Sequence, residues 1–217
     1  MEILALRRQN PESYVDNAAI WRNRWPIPVC WEASASPYSQ ERNWVEISVK
    51  KLLETPTSVR FDGFAASRNR WKQCDQSTVG IRIQIASLRP RSDVGQQWDK
   101  TGASPVEKPT RMTLNFAMDG VYAAYCRSRR EHCVKVTALH EFMHAIGFLH
   151  EHLREDAPAE CKVRFKHDPD VTGEAPVAFS VTYDAKSIMN YCESIFHVPI
   201  ELSEEDIEAV DAFYRVQ

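Results

Sequence analysis

The sequence predicts an α+β fold: a twisted mixed sheet with two helices in the N-terminal half, then an irregular C-terminal half closed by a terminal helix. Three observations carry that expectation. Residues 80–85 alternate isoleucine with polar residues, the mark of a strand with one buried face. Segments 41–53, 134–146 and 203–214 repeat apolar residues at helical spacing. Between 151 and 200 periodicity fades, while Pro158, Pro169, Gly173, Pro176 and Pro199 interrupt the chain.

Taken in order, residues 1–18 read as a polar N-terminal extension and 19–217 as a single domain, divided into subdomains 19–150 and 151–217. Trp21, Trp25 and Trp31, with Pro26 and Pro28, mark the start of packed structure. In segment 41–53, Val45, Val49, Leu52 and Leu53 fall on one side with charges opposite, and Pro56 ends the helix. Strand character appears at 59–61, 80–85 and 112–116. Residues 89–110, rich in Pro, Gly, Ser and Asp, are expected to form a long surface loop. At the C-terminus Ser203 reads as an N-cap, and Glu204, Glu205 and Asp206 sit on the positive end of the helix dipole. Ile207, Val210, Phe213 and Tyr214 supply the buried stripe.

The 217 residues are 43% hydrophobic and 26% charged, enough to build a core without a metal or disulfide to hold it. The net charge is −3, from 27 basic against 30 acidic residues, so nothing favours a nucleic-acid partner. No window approaches the roughly 20 apolar residues of a membrane span, and a monomer is expected. Residues 1–8 carry too short an apolar run for a signal peptide. The six cysteines, none in a Cys-x-x-Cys pair, nevertheless suit disulfides in an oxidising compartment, which points to a secreted or extracytoplasmic protein. Cys126 and Cys133 are the pair a short loop can close. Cys30/Cys74 and Cys161/Cys192 would complete one set among several, and the sequence leaves the pairing open.

The chemistry is concentrated in residues 140–150, His-Glu-Phe-Met-His-Ala-Ile-Gly-Phe-Leu-His. His140 and His144 are four apart on a helix, so their rings leave one face a turn apart and can share a metal. A continuing helix would carry His150 ~9 Å further along and ~120° off that face. Gly147 removes the difficulty, because glycine takes the left-handed conformation that ends helices and reverses the chain. Three imidazoles with one open position make a catalytic zinc site. Glu141, beside the first ligand, is placed to act as general base on a zinc-activated water.

These residues resemble the metzincin metalloproteases, whose signature is His-Glu-x-x-His-x-x-Gly-x-x-His. A methionine turn should follow, and Ser187-Ile188-Met189-Asn190-Tyr191 answers it. Glu151 after the third histidine, the Ser-x-Met-x-Tyr turn, and an entry strand near 25–29 look like the astacin family. The resemblance implies a metzincin catalytic domain holding one catalytic zinc ion and cleaving internal bonds of protein or peptide substrates. It makes His140, His144, His150 and Tyr191 the metal ligands and Glu141 and Tyr191 the catalytic residues. It also implies an extended substrate paired to a sheet edge, Met189 as an apolar base, and Glu151 as the anchor of a mature N-terminus exposed by cleavage near 17–20, unless another partner takes its place. Asn190 departs from the family pattern, where histidine is usual. His152 is the one further histidine with a neighbourly claim on the site; His132, His167 and His197 have no partner spacing.

Overall fold

In the computed structural model, residues 15–22, 25–65, 70–119, 123–165, 182–192, 195–196 and 200–215 are described. Most of the expected extension, and His167 and His197, lie outside them. The first half is built on a five-stranded sheet. Strands β1 (Ile27–Trp31), β2 (Phe61–Asp62), β5 (Ile81–Ile85) and β9 (Thr110–Leu114) run parallel, and β6 (Arg91–Ser92) closes one edge antiparallel to β9. Their order across the sheet is β2-β1-β5-β9-β6. Short hairpins β3 (Phe64–Ala65) with β4 (Arg70–Trp71), and β7 (Gln97–Asp99) with β8 (Val106–Lys108), flank it. The alternation at 81–85 sends Ile81 and Ile83 fully inward.

Two helices pack on this sheet. Helix α1 (Ser39–Val49) continues through a π-turn at Lys50–Glu54 and buries Val45, Val49 and Leu53. A four-residue helix, α2 (Ala123–Cys126), precedes α3 (Arg130–Ala145). Helix α3 begins four residues before the expected 134, because its first turn is polar and hides the period. Beyond Lys135 it is buried all round, as befits a helix inside a core. Phe142 joins it to the sheet, with its ring 5.2 Å from Phe61 and 5.3 Å from Trp71.

The second half carries α4 (Ala159–Arg164) and α5 (Glu204–Tyr214), with irregular chain between where it is described. Helix α5 opens on a reciprocal capping box between Ser203 and Asp206. Its buried face is Asp206, Ala209, Val210 and Tyr214, whereas Ile207 and Phe213 of the expected stripe are only partly covered. Three disulfides, Cys30–Cys74, Cys126–Cys133 and Cys161–Cys192, use all six cysteines. The long surface loop expected at 89–110 instead carries short strands. Strands β6, β7 and β8 lie in it, and its Gly95 N–H reaches the carbonyl of His144 at 2.8 Å. No helix among the described residues is long and apolar enough to cross a membrane.

Candidate metal centre

Helix α3 stops just before Gly147, between His144 and His150. Gly147 has φ +101°, and the N–H groups of Gly147 and Phe148 bond back to the carbonyls of His144 and Met143, a Schellman motif. The remaining carbonyls find partners from distant chain. Trp21 Nε1 donates to Ala145 O at 2.8 Å, Tyr214 Oη to Ile146 O at 2.7 Å, and Asp16 N to Gly147 O at 2.9 Å. Residues 15–21, partly inside the stretch read as an extension, therefore pack as a strap across the helix end. Val15 is fully buried in a bridge to Phe148. The strap runs against two glycines. A Cβ on Gly147 would meet Ile20 Cδ1 at 2.9 Å, and one on Gly95 would meet Ala19 O at 2.0 Å.

After that reversal the chain returns His150 to the helix face. His150 Nε2 lies 3.1 Å from His140 Nε2 and 2.9 Å from His144 Nε2. All three rings are buried. His140 Nδ1 donates to Ile188 O and His144 Nδ1 to Phe148 O, both at 2.8 Å. A carbonyl can only accept, so both rings carry their proton on Nδ1 and turn an Nε2 lone pair towards the shared point. Lone pairs this close repel unless a cation lies among them. Tetrahedral zinc at 2.0–2.1 Å would set its ligand nitrogens about 3.3 Å apart, so the triad fits that ion. Burial, then the neighbouring His150, pushes His140 down to about 3, keeping it neutral as a ligand must be.

Of the other expected residues, Tyr191 and His152 stand against the triad. Glu141 is buried one residue past His140, about 100° round the helix. Tyr191 Oη stands 2.9 Å from His140 Nε2. Its wall is stapled by Cys161–Cys192, and Arg164 donates to the Cys192 carbonyl. Met189 is buried, and Asn190 stitches the turn by donating to Ala185 O and accepting from Cys192 N. His152 is buried with its ring 4.9 Å from that of His150 and 4.6 Å from Phe165. His132 lies elsewhere, 2.9 Å from Phe196 O. Glu151 accepts from Asp184 N at 2.9 Å and has Arg154 Nε at 3.3 Å, so an internal cation serves it. Burial still pushes its carboxyl up to about 8.

The sequence reading missed one residue that the structure puts to work here. Asp206, read as a dipole partner, is a buried carboxylate whose two oxygens reach the methionine turn. The signal that could have found it was the Ser-x-x-Asp box together with Ala209 and Val210, three and four residues on along the buried face.

Comparison with known proteins follows the same lines. The family model described as Astacin, a family of peptidases, matches residues 128–211. Zinc metalloproteinase nas-5 of Caenorhabditis elegans is 35% identical over 75 residues, 31% of this chain and 21% of that protein. Zinc metalloproteinase nas-2 of the same organism is 26% identical over 198 residues, 88% of this chain and 61% of that protein. The chain thus spans less than two thirds of the length of either. Among solved structures, the hatching enzyme zinc-protease HCE-1 of Oryzias latipes (Medaka fish) superposes with TM-score 0.55 at 17% identity, covering 96% of this chain and all of that one. Myroilysin gives 0.52 at 18% identity, with 94% and 98% covered.

Proposed function

We propose that the chain is an astacin-family, zinc-dependent endopeptidase hydrolysing internal bonds of protein or peptide substrates, a reading supported by the family model over residues 128–211 and by the fold it shares with the solved hatching enzyme zinc-protease and myroilysin. The observation that carries this reading is the convergence of three buried Nε2 atoms, two of them aimed by backbone carbonyls. His140, His144 and His150 would hold one zinc ion, and Tyr191 is within reach as a further ligand. A bound zinc supplies Lewis acidity, polarising the scissile carbonyl and lowering the pKa of water towards ~7.

The protein's own groups do the rest. The Glu141 carboxylate takes the proton of the attacking water and delivers it to the leaving amine. The Tyr191 hydroxyl donates to the oxygen that becomes negative as the carbonyl turns tetrahedral. Among the described residues strand β6 pairs with β9 alone, and an extended substrate would add along its other edge by backbone hydrogen bonds. Residues 19–150 would form the subdomain carrying the sheet and zinc helix, and 151–217 the one carrying the methionine turn. Three disulfides favour work outside the cytoplasm.

The test is casein hydrolysis by wild type and Glu141→Ala with zinc measured on both. The variant should hold zinc as the wild type does and lose activity by about 10²–10⁴-fold, the usual worth of a general base. Undiminished hydrolysis in the variant would remove Glu141 from the mechanism.

A further inference from the structure

Asp206 stands in the first turn of α5, yet most of its bonding leaves that helix. Its Oδ2 accepts from Ile188 N at 3.0 Å and from Ser203 N at 3.2 Å, and its Oδ1 accepts from Ser187 Oγ at 2.7 Å. All three groups that face it are donors. A carboxylate matches them; an amide would turn an NH₂ group towards one of them.

The bonds continue inward. Ile188, whose N–H is held by Asp206, offers its carbonyl to His140 Nδ1 at 2.8 Å. Ser187 Oγ also accepts from Met189 N, and the Met189 carbonyl accepts from Glu151 N, the residue after His150. One side chain therefore fixes the turn that braces the first histidine by its ring and the third through the adjoining backbone.

We propose that Asp206 is a positioning residue for the metal centre, holding the Ile188 peptide so that His140 keeps its proton on Nδ1 and its lone pair on the shared point. The proposal rests on the functional reading above only for the identity of the metal. Charge at the outer end of such a chain strengthens the bonds further in, and outer partners of ligating histidines commonly govern metal affinity by about 10–100-fold.

The test compares wild type, Asp206→Asn, Ser187→Ala and Ser203→Ala. Ring ¹⁵N shifts of His140 in metal-free protein report its tautomer, and chelator competition reports zinc affinity. Asp206→Asn should mix the tautomers and weaken zinc by about 10–100-fold. Ser203→Ala, which removes the cap and spares the Ile188 bond, should lose stability yet keep the tautomer and bind zinc within about threefold of wild type. Should Asp206→Asn fail to fold, Ser187→Ala decides, and an unchanged zinc affinity there overturns the proposal. It cuts the branch through Met189, so it should weaken zinc while His140 keeps its tautomer. A wild-type tautomer and wild-type zinc affinity in Asp206→Asn overturn the proposal, as does an equal loss in Ser203→Ala at matched stability. If wild type itself takes up no zinc, the functional reading fails, and the ring shifts still decide the role of Asp206.

Discussion

Tyr214 shows how much one buried hydroxyl can hold. It donates to the Ile146 carbonyl at 2.7 Å and accepts from Trp21 N at 3.3 Å, joining α5, the strap and the end of α3. Burial holds this phenol above its ordinary pKa. The raised value means its contribution is complete below about pH 10, where folded and unfolded chains both keep the proton. It is lost as pH climbs further, because the unfolded chain ionises first. Urea unfolding between pH 8 and 11 should show Tyr214→Phe less stable by about 1–3 kcal/mol at pH 8, with a shallower alkaline decline than wild type. An equally steep decline would place the sensitivity in another group. Residues of this kind were the hardest to read from sequence. His140, Glu141, His144 and Gly147 declare themselves because their chemistry depends on helical spacing. Tyr214 and Asp206 act across 68 and 18 residues respectively, and no local pattern records that.

At the scale of the element, the end of α3 depends on two glycines that face one strap. A methyl group at Gly95 would be forced onto the Ala19 carbonyl oxygen, with no flexible atom to yield. At Gly147 the nearest atom is the tip of Ile20, so the main cost there is the backbone at φ +101°. Gly147→Ala should therefore lose about 1–3 kcal/mol, and Gly95→Ala more, both read from chemical denaturation of the metal-free protein. The reverse ranking would mean that the strap moves aside. The Gly147 turn was legible because His150 had no other route to the metal. The role of Gly95 was not, since its segment reads as loop and only the fold brings it to His144. The strands of that segment are two or three residues long, too short for alternation to register.

Disulfides lie in both halves of the molecule, and the histidine cluster is braced from both sides of residue 150. The sheet order was not legible either, because β1, β5 and β9 are neighbours in space and separated in sequence by long excursions. Zinc bound to the folded chain alone adds about 4.1 kcal/mol when free metal stands a thousandfold above its Kd. For a chain of this size that corresponds to roughly 8–16 °C in Tm. Chelation should lower Tm by that order with all three disulfides intact, followed by calorimetry with and without chelator. An unchanged Tm would mean that the folded state gains nothing from the ion.

The strap and α5 also set a timetable. A ribosome makes residues 140–150 before it makes Asp206 and Tyr214, so the nascent chain passes through an interval with His140, His144 and His150 present and neither brace in place. Ile188 then has no carboxylate to hold it, and the Ile146 carbonyl has no hydroxyl. Helix α5 therefore has to be made and docked before the turn beside the histidine cluster is held.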